Sequence, residues 1–92
     1  MLFAIFCTDK PNHLSVRMDN RPAHVEHLKS QGDRLIFAGP TFADDNETMN
    51  GSLIVLEVEN KTEADAFCAA DPYAKAGLFD SVIIRPWNKV LG

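Results

Sequence analysis

Apolar residues occupy both alternating positions from Leu2 to Thr8, and β-favouring Phe3, Ile5 and Phe6 lie among them. That pattern predicts a central strand, buried on both faces. Asp9-Lys10-Pro11-Asn12 then supplies turn chemistry that ends it. Leu14, Met18, Arg21, Val25 and Leu28 recur at spacings of three and four, which marks one face of a helix. Pro22 falls inside this stretch, where it removes a hydrogen bond and crowds the preceding turn. The spacing therefore predicts a short first helical segment and a fresh start, with Asp19 or Asn20 as N-cap, Pro22 in the first turn and Gly32 as the stop. Arg34 to Phe42 reads as a second strand, and Gly39-Pro40 inside it requires an edge or a bulge. Ala43 to Asn50 is acidic and aperiodic, and is the segment expected to be most mobile.

Gly51 to Glu59 gives a third strand, with Leu53 and Val55 on one face and Ile54, Leu56 and Val58 on the other. Asn60-Lys61 turns the chain. Thr62, with Asp65 three residues on, is the expected cap of a helix whose buried stripe is Ala64, Phe67 and Cys68. Asp71-Pro72 ends that helix and opens a short one through Ala76, stopped by Gly77. Phe79 to Trp87 is the fourth strand. The order β-α-β-β-α-β is the ferredoxin-like arrangement, an α+β fold with a four-stranded antiparallel sheet. Right-handed crossovers place both helices on one face of that sheet. Three of the strands are nevertheless apolar on both faces. The uncovered face needs a partner, and a second copy meeting it sheet to sheet is the expected one, giving a homodimer.

Composition narrows the function classes. Ninety-two residues, 46% hydrophobic and 24% charged, predict one ordered domain over 1–92. Nine basic against thirteen acidic side chains give a net charge of −4. That balance argues against nucleic acid as a partner, and against an acidic membrane surface. The apolar start, Met1 to Cys7, lacks a basic flank and a small-residue cleavage site, and no run is long enough to span a membrane. The expected location is the cytoplasm. Cys7 and Cys68 form no CxxC, and read as two small buried hydrophobes.

Two separated stretches carry the candidate chemistry. In Arg21-Pro22-Ala23-His24, the histidine leans toward the buried side of the helix, where it suits general acid/base work near neutral pH. A half-buried histidine bonded to a backbone carbonyl is the plainer reading. In Asp71-Pro72-Tyr73, the carboxylate continues the buried stripe of the second helix, and suits orienting an imidazole. Aspartate before proline is equally an N-cap, and one carboxylate oxygen can cap while the other accepts from a histidine. His24 and His27, with His13 upstream, have metal-like spacing but no clear third ligand, and His27 is expected to face water. No serine lies in a GxSxG context, and no glycine loop cradles phosphate. Tyr73 and Trp87 are candidate pocket walls. Arg21 and Arg85 are candidates to meet an anionic group.

Taken in order, Arg21-Pro22-Ala23-His24, Ala38-Gly39-Pro40, Gly51-Ser52, Ala69-Ala70-Asp71-Pro72-Tyr73 with Ala76-Gly77, and Arg85-Pro86-Trp87 resemble the YciI-like, or YCII-related domain, proteins nearly end to end. The resemblance implies a ferredoxin-like fold that dimerises through its sheets, the dimeric α+β barrel type. It implies a histidine–aspartate pair in a pocket, falling on His24 and Asp71, with Arg21, Gly39, Pro40, Ser52 and Tyr73 as the substrate-binding positions. It also implies lyase- or dehalogenase-like chemistry on a small molecule; with His24 as acid/base, proton abstraction next to a carbonyl followed by elimination or isomerisation would need no cofactor. The alternative is a non-catalytic module whose pocket binds a small metabolite.

Overall fold

A computed structural model describes residues 1–92. The elements are β1 (Leu2–Asp9), α1 (Leu14–Lys29), a 3-10 turn (Gly32–Arg34), β2 (Leu35–Phe42), β3 (Met49–Glu57), α2 (Lys61–Ala70), α3 (Pro72–Lys75) and β4 (Phe79–Trp87). The four strands form one antiparallel sheet in the order β2-β3-β1-β4. This is the ferredoxin-like arrangement. β1, apolar on both faces, is indeed central, while β2, which carries Pro40, lies at an edge where its missing N–H breaks no ladder.

Register sorts the side chains by face. Ile5 lies opposite Ile54 on one side and Ile84 on the other, and Ala38 continues the row onto β2. That face carries the core: Phe3, Ile5, Cys7, Ile54, Leu56 and Val58 pack with Ala64 and Phe67 of α2. On the opposite face, Phe6 pairs with Leu53 and Ile83. Phe6, Phe37 and Ile83 there remain 46%, 48% and 46% exposed.

The first helix departs from the sequence reading. α1 runs unbroken from Leu14 to Lys29 with Pro22 inside it. Pro22 and Met18, whose carbonyl would have taken the missing N–H, both lie on the exposed side, where water can satisfy the freed acceptor. Neither Asp19 nor Asn20 caps anything. The Asn20 amide donates instead to the Val16 carbonyl at 2.9 Å. The expected apolar stripe is also rotated: Leu14 and Met18 face out, and the buried positions are Arg17 and His24, two turns apart, with Leu28 partly covered against the core.

Local chemistry explains the other shifts. α2 starts two residues earlier than a Thr62 cap allows, because Asn60 is the N-cap: its side-chain oxygen accepts from the Glu63 N–H at 3.0 Å. Glu63 also reaches back to accept from the Glu59 N–H, one residue before the cap, at 3.4 Å. Gly32 takes a left-handed φ of 59° just past α1, as a helix stop requires. The acidic segment is tied down. Ala43 N–H donates to the Thr48 carbonyl at 2.9 Å, and Asp45 accepts from the N–H groups of Glu47 and Thr48, each at 2.9 Å. The Thr48 hydroxyl also donates to Asp45, and that bond first, with the two from the backbone, holds the Asp45 carboxyl down at about 2. No helix is long and apolar enough to cross a membrane.

Candidate functional site

A cavity of about 130 Å³ opens between α1, the β2–β3 edge of the sheet and α3. Each wall follows from an element already described. The buried side of α1 presents Arg17 and His24, with Arg21 between them, more exposed. β2 contributes Gly39 and Pro40, its edge residues, and β3 contributes Ser52 and Ile54 from the helix-facing side. α3 adds Tyr73, which is 1% exposed.

Asp71 is placed by two short helices meeting. It closes α2 and opens α3, and Pro72 behind it fixes the first turn. Its Oδ1 accepts from the Tyr73 N–H at 2.9 Å and from His24 Nδ1 at 2.9 Å. Capping and imidazole binding therefore share one oxygen, where separate oxygens were expected. A carboxylate can only accept, so Nδ1 carries the proton and Nε2, across the ring, is the nitrogen left for the cavity. The imidazole stacks on Tyr73, with ring centres 3.9 Å apart and planes 14° from parallel.

A second buried pair adjoins the first. Arg17, 2% exposed, grips Asp9 with Nε at 2.7 Å and Nη2 at 2.9 Å. Nη2 also donates to Ser52 Oγ at 2.9 Å, and the guanidinium carbon lies 4.6 Å from the centre of the Tyr73 ring. Burial opposes the charge on Arg17, but the bonds to Asp9 outweigh it and hold the guanidinium above its usual range. Burial likewise raises Tyr73, against the pull of the Arg17 and Arg21 charges, so the ring carries a neutral phenol at neutral pH. The preceding Gly51 lets β3 come this close. A Cβ there would collide with the Cys7 carbonyl oxygen and stand 2.6 Å from Thr41 Oγ1.

Of the residues singled out in the sequence, His24, Arg21, Gly39, Pro40, Ser52 and Tyr73 all line this cavity, and Asp71 stands behind His24. Arg85 and Trp87 do not line it. Arg85 pairs with Ala4 in the sheet, and Trp87 lies at the far end of β4 opposite Leu2. His27 is not turned to water: its Nε2 donates to the Phe67 carbonyl at 3.0 Å, and its ring stacks on Phe67. His13 bonds the Pro11 carbonyl. The three histidines are thus committed to three separate oxygens. Burial, with Cys68 and Asp71 nearby, pushes the Cys7 thiol up to about 12; burial and Asp71 do the same to Cys68.

Arg17 and Asp9 escaped the sequence reading. The available signal was spacing, since Arg17 precedes His24 by two helical turns and so shares its face.

The family model described as YCII-related domain matches residues 1–88. The Escherichia coli protein YciI is 37% identical over 97 aligned residues, covering 98% of this chain and 99% of the relative. A solved structure of 5-chloro-2-hydroxyhydroquinone dehydrochlorinase from Burkholderia phenoliruptrix, in complex with 2,5-dihydroxybenzoquinone, is 37% identical. It superposes with a TM-score of 0.88, covering 96% of this chain and 94% of that one. An antibiotic biosynthesis monooxygenase shares the fold at a TM-score of 0.56 and 12% identity, over 97% of this chain and 100% of its own. The family match and the near full-length relatives agree that the chain belongs to the YCII-related domain family.

Proposed function

We propose that this protein is a small acid/base enzyme acting on a single-ring metabolite, with His24 as the proton-transferring group and Asp71 as the group that fixes its tautomer. The observation that carries the reading is the buried His24–Asp71 hydrogen bond behind a cavity of about 130 Å³. Cavities of roughly 150 Å³ accept benzene, so this slightly smaller, open pocket takes a single ring and leaves its substituents toward the mouth. His24 Nε2 takes a proton from a ring hydroxyl or from a carbon beside a carbonyl. In the keto tautomer of the ring, where the carbon bearing the leaving group is tetrahedral, the electron pair forms a new double bond to that carbon, chloride departs with its bonding pair, and a hydroxyquinone results. Asp71 stabilises the imidazolium that forms. Elimination of this kind is redox-neutral and needs no cofactor. Support for elimination over isomerisation comes from the dehydrochlorinase, similar in both sequence and structure.

The test is chloride release from 5-chloro-2-hydroxyhydroquinone by the purified protein. Wild type should turn over, and His24→Gln should lose at least about a hundredfold in kcat, the usual contribution of a positioned acid or base. Stoichiometric retention of the ring compound without turnover would favour a binding module instead.

We also propose that a second copy covers the outer face of the sheet. Phe6, Phe37 and Ile83 form an apolar surface there on registered strands, which a monomer leaves wet. Light scattering should give twice the 10.2 kDa chain mass, and a Phe6→Glu variant should halve it. A monomeric wild type at micromolar concentration overturns this.

A further inference from the structure

We infer that Ser52 is the oxyanion-binding donor of this pocket, and that Arg17, held by Asp9, is the positioning residue that primes it. The inference rests on the proposed acid/base reading, since it supplies the counterpart to the base. Proton removal by His24 leaves negative charge on a substrate oxygen, and something must receive it.

Ser52 stands out by its position. It lies on the helix-facing side of β3, in line with Ile54, Leu56 and Val58, where each of the others is apolar and part of the core. Its Oγ accepts from Arg17 Nη2 at 2.9 Å. That fills one lone pair with a charged donor and fixes the rotation of the hydroxyl. The Ser52 proton enters none of the hydrogen bonds within the protein, although the residue is buried and lines the cavity. A hydroxyl that accepts from a cation is a stronger donor in its own right. The free proton is therefore both sharpened and held in the wall shared with His24.

Asp9 explains why Arg17 is not itself the anion site. Two of its guanidinium nitrogens are occupied by the Asp9 carboxylate, at 2.7 and 2.9 Å, and the pair is neutral as a unit. With its charge balanced by Asp9, the pair presents an oriented hydroxyl to the cavity in place of a free cation. A neutralised pair that orients one hydroxyl acts as a preorganised dipole, effective where charge develops. Gly51 supports the same geometry, because β3 must lie against the Cys7 carbonyl to bring Ser52 to Arg17.

The experiment uses 4-nitrophenol, a ring-sized probe whose phenolate is seen by its visible absorbance, and is run in the full-length His24→Gln protein so that the base cannot take the proton. That protein should bind the phenolate about tenfold more tightly than the phenol, the ratio expected of one hydrogen bond to a charged oxygen. Adding Ser52→Ala should abolish the preference, while Ser52→Thr, which keeps a hydroxyl, should retain most of it. Arg17→Lys keeps a cation beside Asp9 but loses the fork that reaches Ser52, and should bring the preference close to unity with the far-UV circular dichroism unchanged. A preference that survives Ser52→Ala overturns the inference, and so does a protein that ignores the phenolate at millimolar probe. Chloride release that depends on His24, with no phenolate preference, would leave the acid/base reading standing and remove only this one.

Discussion

Replacing Asp71 separates its two jobs, because a single oxygen serves both. The Asp71→Ala change leaves two buried donors without an acceptor, the Tyr73 N–H and His24 Nδ1–H. Loss of an N-cap costs about 1 kcal/mol. A buried donor left unsatisfied costs about 1–3 kcal/mol. The alanine variant should therefore be destabilised by roughly 2–4 kcal/mol. Asp71→Asn keeps an oxygen in place, and asparagine caps about as well as aspartate. Its amide cannot flip to offer NH2 to the imidazole without depriving Tyr73 of its acceptor, so the tautomer of His24 should be preserved. Stability should then fall by no more than about 1 kcal/mol.

What asparagine cannot supply is the negative charge that stabilises the imidazolium. If the acid/base reading holds, Asp71→Asn should lower kcat about 10- to 100-fold, equivalent to about 1.4–2.7 kcal/mol of barrier. That is far less than the roughly ten-thousandfold expected when such a change also inverts the tautomer. The assays are urea unfolding followed by far-UV circular dichroism, and chloride release. Asparagine and alanine variants that unfold within about 0.5 kcal/mol of each other would refute the shared-oxygen argument. An activity loss approaching ten-thousandfold in Asp71→Asn would refute the claim that the tautomer is locked by Tyr73.

Three further outcomes are expected. Arg17→Met should destabilise the fold by about 3–5 kcal/mol by stranding Asp9, whereas Arg17→Met combined with Asp9→Leu should recover most of that; equal losses in urea would show that the pair is not the source. With both thiols pushed from 9.0 up to about 12, the folded protein at pH 8 should present about a thousandfold fewer thiolates than the urea-unfolded chain. Comparable rates with Ellman's reagent in the two states would refute the burial argument. The Asp45 carboxyl is depressed from 3.8 to about 2, so its contribution to the 43–48 turn is fully present above pH 3.8 and lost as pH falls through about 2. The amide NMR shifts of Glu47 and Thr48 should titrate over that window, and flat shifts would show that the turn does not depend on the charge.

The sheet was legible because strand signals are local. Runs such as LFAIFC and SLIVLEV carry their own period, and the faces of Ile54, Leu56 and Val58 followed from alternation alone. Pro40 named its own strand as an edge for the same reason. α1 was harder. Its apolar residues Leu14 and Met18 proposed a face that the helix leaves exposed; His24 leans inward as its spacing to Leu28 indicates, but the burial of Arg17 is something periodicity of hydrophobic residues cannot reveal. A buried charge is tolerated only beside a partner. The partner of Arg17 is Asp9, eight residues back on β1, and that of His24 is forty-seven residues ahead. Neither pairing is encoded in any local window. The cap at Asn60 was different in kind: Asn followed by Glu three residues later was present in the sequence, and Thr62 was simply the weaker of two candidates.

The polar face of α1 has a physical consequence for how site and fold depend on each other. A helix of this size is normally anchored by an apolar stripe. Here two buried positions are given to ionisable groups, so α1 gains less from apolar burial and relies on partners fixed elsewhere: Asp9 at the end of β1, and Asp71 at the junction of α2 and α3. Tyr73 joins the two pairs, since its ring stacks on His24 and lies under the Arg17 guanidinium. Moving α1 along its axis would break both pairs and both ring contacts at once, which fixes the helix at one position against the sheet. The same contacts hold His24 and Ser52 on facing elements of one cavity. Positional precision for the site and anchoring of the helix thus come from the same four polar side chains, and a substitution that loosens one should disturb the other.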